Sequence, residues 1–510
     1  MISRVESSTT IGIEAYTVHV EIDAAPGIPS YNTVGLPDTA VRESRERVKA
    51  AITNSGYKFP VKKITVNLAP ANMRKEGPIF DLPIAAGILS ACIPQARITR
   101  FGYVIAGELS LDGSIRPIKG VLPMALAAKK NGKRGIIIPF QNRLEASLVD
   151  GIEVIPVNHL TEAVNFLNGN IEISPYKSNI KELFQRQNGI EPDFCDVKGQ
   201  EHAKRALEIA AAGSHNILMI GSPGAGKTML ARRLPSILPE MTFEEAIECT
   251  RIHSVLGNIN SNFPIINKRP FRSPHHSISD AGLIGGGTSP MPGEASIAHN
   301  GVLFLDELPE FRRNVIESLR QPLEDGKITI SRATGSLTFP SKFMLVAALN
   351  PCPCGYRFDE NKQCICTPNQ IQRYLAKISG PLLDRIDIHI EVPSLKFREM
   401  ANDTRGESSE TIRKRVNKAR QIQLKRYEGS GIFFNSRMTQ KHIREFCRIN
   451  KESKDLLEAA IRKFSLSARA YDRILKIART IADLDEAEKI KTEHIAEAIQ
   501  YRSLDRNEYY

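Results

Sequence analysis

The chain has 510 residues, 41% of them hydrophobic and 25% charged, with a formal net charge of +12 and no Trp. One hydrophobic core does not serve so long a chain, so about three domains are expected. No apolar run approaches the ~20 residues of a membrane span, and residues 1–8 lack the apolar centre of a signal peptide, so the expectation is a cytoplasmic protein with no membrane partner. Its eight Cys should then be reduced or metal-bound. The charge is uneven: residues 396–510 hold 26 Lys/Arg against 18 Asp/Glu, a net +8. A basic terminal region suits contact with a phosphate backbone, and so does a solvated helical surface.

Residues 1–170 read as an independent α/β domain. Stretches 17–22 and 63–68 alternate as strands, and 38–52 is helical with Val41, Val48 and Ile52 on one face. Stretch 79–89 is an apolar helix and 135–139 a buried strand. Residues 171–193 carry Ser174-Pro175, Asn188-Gly189 and Pro192 among polar neighbours and read as a linker.

A second module, 194–395, is built around Gly221, Ser222, Pro223, Gly224, Ala225, Gly226, Lys227 and Thr228. An apolar run, 216–220, precedes this stretch and a helical pattern follows, which is the context that a G-x-x-x-x-G-K-[ST] phosphate loop requires. Its glycines let backbone N–H groups wrap phosphate oxygens, Lys227 reaches the β- and γ-phosphates, and Thr228 ligates Mg²⁺. The cofactors expected are therefore ATP and Mg²⁺. About 80 residues on, Val302-Leu303-Phe304-Leu305 ends in Asp306-Glu307. In that position Asp306 holds the Mg²⁺ shell and Glu307 polarises the attacking water. The apolar stretch 343–349 ends in Asn350 in the same way.

Two inserts stand out. Between the nucleotide motifs lie residues 269–277 and a glycine-rich run from Gly282 to Gly287, which read as a projecting loop. There His275 and His276 are expected to face opposite ways along an extended segment, so they serve structure or polar contact rather than a metal. After the acidic strand, 327–332 and 336–339 read as a hairpin around Ala333-Thr334-Gly335. Arg332 is the first choice for a contact with a phosphate backbone and Lys327 the second, the alternative being a solvated basic hairpin. Finally, Cys352, Cys354, Cys364 and Cys366 form two C-x-C pairs around a nine-residue loop. Four thiolates so arranged suit a closed structural Zn²⁺ site, the alternative being four reduced thiols. Residues 396–510 read as a basic helical domain, with Ile412, Val416, Ala419 and Ile422 at helical spacing.

Several of these motifs resemble known families. Lys75-Glu76-Gly77-Pro78, the stretch 107–113 and Ile138-Pro139-Phe140 resemble the proteolytic domain of Lon-type proteases. The catalytic Ser of that family falls on Ile79 and its Lys on Leu122, so the resemblance implies a retained fold without the peptidase dyad. Asn350 is similar to the sensor 1 residue of AAA+ ATPases. Stretch 380–387, with Arg385, resembles the arginine-finger segment of the clade that holds MCM helicases and magnesium chelatases, the alternative being an ordinary ion pair. Stretch 465–473 resembles a sensor 2 region, with Arg469 first and Arg473 second for the role. Over its whole length the chain resembles the magnesium-chelatase-like AAA+ ATPases called YifB or ComM. That resemblance implies an N-terminal Lon-like α/β domain, an AAA+ P-loop αβα module and a C-terminal helical lid. It also implies a hexameric ATP-driven helicase that acts on single-stranded and branched DNA, promotes branch migration and aids DNA integration in natural transformation alongside recombination proteins. A chelatase-type ATPase subunit and an ATP-dependent protein unfoldase are the rival readings.

Overall fold

The computed structural model describes residues 2–185, 192–332, 335–359, 362–394, 406–464 and 466–502. The hairpin turn at Ala333-Thr334, part of the expected linker, the boundary near 395, Ser465 and the last eight residues lie outside that description. The chain divides into two compact units. One comprises Met1–Gln187 and Phe243–Asn267, the other Asn188–Thr242 and Lys268–Tyr510.

The first unit holds a seven-stranded mixed sheet in the order Ser30–Val34, Lys63–Ala69, Glu14–Ala25, Ile2–Ile11, Tyr103–Ile105, Gly135–Pro139, Glu153–Val157. The alternating stretches around 17–22 and 63–68 pair antiparallel, with Val20 opposite Leu68 and Ile22 opposite Val66. Their inward residues join the helices Thr39–Asn54 and Asp81–Cys92 in one core. Ile171 and Ile173, in the expected linker, pack against the same core.

Leu122, where the Lon resemblance expects a Lys, is fully buried. Its N–H donates to Glu145 Oε1 at 3.0 Å. Burial raises the Glu145 carboxyl above its usual range, and the Ser254 hydroxyl also donates to it. Ser254 belongs to the helix Phe243–Leu256, whose sequence position is between the two nucleotide motifs. The sequence groups that stretch with 194–395, but its contacts make it part of the first unit.

Asp81 begins the helix just after Ile79 and is completely buried. Arg47 meets its two oxygens at 2.8 and 3.2 Å. Burial outweighs that guanidinium and pushes the carboxyl up to about 6.

The second unit is built on a five-stranded parallel sheet in the order Phe271–Arg272, Val302–Leu305, Met344–Leu349, Ile217–Ile220, Ile388–Glu391. Its inner strands read as unbroken apolar runs because both faces are covered. Ile217, Met219, Phe304 and Val346 join a core shared with the helices Glu201–Gly213 and Ala468–Leu484. The alternating Leu218, Ile220, Leu303 and Leu345 join another with Val315, Leu319 and Leu382. The C-terminal region is helical, with Ser409–Arg426, Gln440–Phe446, Lys451–Phe464, Ala468–Leu484 and Thr492–Gln500.

Asp387 ties the lid helix Ala468–Leu484 to the sheet. It pairs with Arg473 of that helix, lies 3.4 Å from His215 Nδ1 and accepts the Asn216 N–H at 3.2 Å. His215 Nε2 in turn lies 2.7 Å from the Thr480 hydroxyl. Burial opposes ionisation of Asp387, but Arg473 and His215 prevail and hold its carboxyl well below the usual range.

Both buried carboxylates generate expectations. Because the folded-state value of Asp81 lies above its ordinary 3.8, its stabilising contribution is complete below that value and is lost as pH rises through 6. The stability difference between wild type and Asp81→Asn should therefore fall by about 2–3 kcal/mol between pH 4 and 7, as measured by denaturant unfolding. Asp387→Ala leaves Arg473 buried without its partner and should cost about 3 kcal/mol or more, read from the same unfolding curves.

Candidate nucleotide site

In an open parallel sheet the carboxyl ends of the strands are where ligands gather, because loops and helix starts converge there. Three strand ends supply this site: Ile217–Ile220 leads into the phosphate loop, Val302–Leu305 into Asp306, and Met344–Leu349 into Asn350. Gly224 and Gly226 have φ of 81° and 86°, a conformation open to Gly and strained for other residues. A Cβ at Gly224 would meet nothing within 4 Å, so that side of the loop is an open cradle.

Lys227 starts the helix Lys227–Arg233 and folds back into the loop. Its ammonium donates to Gly221 O at 2.6 Å, Ser222 O at 3.0 Å and Asn350 Oδ1 at 3.1 Å. Burial pushes its pKa down to about 8, against the upward pull of Asp306 and Glu307. The Thr228 hydroxyl donates to Asp306 Oδ2 at 2.6 Å, which brings two hard oxygen donors together as a Mg²⁺ site requires. Glu307 follows with φ 53°, and its carboxylate lies 3.7 Å from His276 Nδ1. The residues present therefore fit Mg²⁺-nucleotide: an open loop, a buried cation and a hydroxyl–carboxylate pair.

Lys227, Thr228, Asp306, Glu307 and Asn350 thus lie together. Arg385 and Arg469 lie elsewhere in the same unit, lining a cavity of about 380 Å³ with Arg473, Glu324, Asp387 and Asp472. No phosphate-loop residue lines it. Arg385 pairs with Glu324 and donates to Pro381 O at 2.7 Å. Arg473, the second choice for sensor 2, is engaged by Asp387.

Lys327 and Arg332 are exposed at the two ends of a strand that pairs with Gly335–Pro340, while Ile328 between them is buried. Arg332 reaches Gly287 O of the glycine-rich insert at 3.3 Å. The expectation for His275 and His276 needs correcting: their ring centroids are 4.0 Å apart. The backbone turns there, with Ile278 N–H donating to His275 O, so neighbouring side chains do not alternate. Their service in polar contacts holds, through Ser277 for His275 and Glu307 for His276.

The sulfur atoms of Cys352, Cys354, Cys364 and Cys366 all lie within 4.8 Å of one another. Cys352 is 3.4 Å from Cys354 and 3.7 Å from Cys364. The Cys354 N–H donates to Cys366 Sγ at 3.3 Å. Backbone N–H groups of Tyr356 and Ile365 draw the Cys354 thiol below its usual range, while burial raises the thiols of Cys352 and Cys366.

Two contributors escaped sequence reasoning. Gln200, just before the helix Glu201–Gly213, donates to Ala225 O at 2.6 Å. Its φ of 56° directs the chain there, and only the adjacent Gly199 hints at such a turn. Tyr374 lies close enough for its hydroxyl to feel the Asn350 N–H, a proximity with no linear signature.

Comparison with known proteins agrees with this geometry. Residues 193–400 match the family described as Magnesium chelatase, subunit ChlI. Residues 20–142 match Subunit ChlI of Mg-chelatase, and 406–502 match Magnesium chelatase, subunit ChlI C-terminal. The chain is 47% identical over 508 residues to Competence protein ComM of Haemophilus influenzae, covering 98% of this chain and 97% of that protein. It is 43% identical over 507 residues to the Escherichia coli protein YifB, covering 99% and 98%. Over 164 residues it is 32% identical to Lon protease 2 of Bacillus subtilis, covering 30% of this chain and 29% of that one. No helix among the described residues is long and apolar enough to cross a membrane. With a phosphate loop, an acidic strand end and a polar strand end assembled on one parallel sheet, and with relatives matching from end to end, the chain belongs to the YifB/ComM family of magnesium-chelatase-like AAA+ ATPases.

Proposed function

We propose that this ATPase is a DNA motor that works as a ring, a helicase promoting branch migration on single-stranded and branched DNA. The observation that carries the reading is the separation of charges within one chain. Lys227 is the cation at the phosphate loop, while Arg385 and Arg469 line a cavity that the loop does not. Arginines so placed serve a neighbour's nucleotide, which makes each site dependent on an adjoining subunit and favours a closed ring, here a hexamer.

Within that ring Lys227 would bind the β- and γ-phosphates of ATP. Thr228 and Asp306 would hold Mg²⁺, which supplies positive charge to the phosphate oxygens. Glu307 accepts a proton from the attacking water while Asn350 orients it. Arg385 from a neighbouring subunit offsets charge in the transition state, and Arg469 assists from the same cavity. The hairpin carrying Arg332 and Lys327 would touch DNA phosphates, with the glycine-rich insert beside it. The four cysteines would hold Zn²⁺ in a closed, structural set. The name of the Haemophilus relative, Competence protein ComM, supports a place in natural transformation, where the motor would aid integration of DNA.

Subunit complementation and strand displacement test the reading. Lys227→Ala and Glu307→Gln should each abolish ATP-dependent unwinding of forked DNA while leaving the fold intact by circular dichroism. Arg385→Ala should lower kcat about 10³-fold. Mixed with Glu307→Gln, it should regain roughly a quarter of wild-type hydrolysis, since a random ring pairs an intact Glu307 with an intact neighbouring Arg385 at that frequency. Wild-type hydrolysis by Arg385→Ala alone would sink the shared site. Failure of the wild type to bind or unwind forked DNA would sink the motor reading and leave a chelatase-type ATPase.

A further inference from the structure

The cysteine cluster does not stand apart from the nucleotide site. Cys352 is completely buried and follows Asn350 by two residues. Cys366 precedes Thr367, whose side chain caps the helix Pro368–Leu375 in a reciprocal capping box with Gln370. That helix carries Tyr374, whose hydroxyl lies beside the Asn350 N–H. Asn350 is therefore flanked by chain that leaves the cluster on two sides: directly through Cys352, and through the capped helix from Cys366 that brings Tyr374 beside it.

The cluster meets the phosphate loop as well. Gly355, with φ 87°, lies so close to Pro223 that a Cβ would be 2.5 Å from Pro223 Cδ and 2.6 Å from Cγ. A separation under 3 Å requires one of the two segments to shift. Pro223 is part of the phosphate loop, whose carbonyls at Gly221 and Ser222 hold the Lys227 ammonium.

We propose that the four cysteines form a zinc-locked brace of the ATP site, fixing Asn350 on one side and seating Gly355 against Pro223 on the other. This rests on the zinc reading given above. The set suits the ion: sulfur separations of 3.4, 3.6 and 3.7 Å lie close to the ~3.8 Å edge of a tetrahedron with Zn–S bonds of ~2.3 Å. The N–H donated to Cys366 Sγ is the outer-layer support such ligands use. Gly355 and the cysteines are positioning residues, since they touch the groups that touch nucleotide. The brace makes metal content a determinant of ATP binding rather than of folding alone.

The full-length protein tests this through Gly355→Ala, which keeps all four ligands. Purified wild type and Gly355→Ala should each carry one equivalent of zinc by elemental analysis. Cobalt substituted into either should show the intense visible bands of a tetrahedral thiolate site. Gly355→Ala should nevertheless bind a fluorescent ATP analogue more weakly and lose about tenfold or more in kcat/KM. Adding Pro223→Ala, which removes the atoms the new methyl strikes, should restore part of that loss, a coupling that general destabilisation would not give. Cys366→Ser should lose zinc and nucleotide affinity together. Absence of zinc and of cobalt bands in the wild type would overturn the metal assignment. Wild-type ATP binding and turnover in Gly355→Ala would overturn the brace. Both readouts are independent of DNA, so a failure of the motor reading would show as lost unwinding with zinc content and ATP binding intact.

Discussion

An ammonium group held out of water among oxygen atoms is the constraint on which the ATPase unit depends. Lys227 gives its hydrogens to two carbonyls of its own loop and to Asn350, and burial drives its proton affinity down. That arrangement exists because three neighbouring parallel strands end on the same edge of one sheet whose two faces are both covered. A buried cation facing an open glycine cradle is poised for an anion, since a phosphate supplies the charge that burial has taken from solvent.

The parts of this site that were legible in the sequence are those whose chemistry fixes both residue type and spacing. A loop that wraps phosphate needs glycines at positive φ and a Lys one step past the last of them, so Gly224, Gly226 and Lys227 announce themselves. Asp306 and Asn350 were visible because fully covered strands become unbroken apolar runs with an abrupt polar end. The hairpin Lys327–Arg332 with Gly335–Pro340 followed from alternation around a turn.

What stayed hidden had no local rule to reveal it. The strand Ile2–Ile11 lies inside the first sheet, yet its buried residues include Ser7, Ser8 and Thr9, so no apolar alternation marks it. The pairing of Arg385 and Arg469 across one cavity joins residues 84 positions apart. The turn at His275 overrode an alternation argument that holds only in extended chain. The helix Phe243–Leu256 mixes apolar and polar residues on every side, and nothing in its own residues says which of the two units receives it.

That helix has a consequence for how the protein can be divided. The first unit is not an appendage that ends where the second begins, because the polypeptide returns to it between the phosphate loop and the acidic strand. Deleting the N-terminal 187 residues would strip cover from Ala246, Cys249, Ile252 and Val255 while leaving them on the chain. The remainder would carry that helix with its buried apolar residues uncovered in the middle of its ATPase sequence, a surface that invites aggregation. The two halves are thus interleaved rather than strung together, and neither can be exchanged as a cassette.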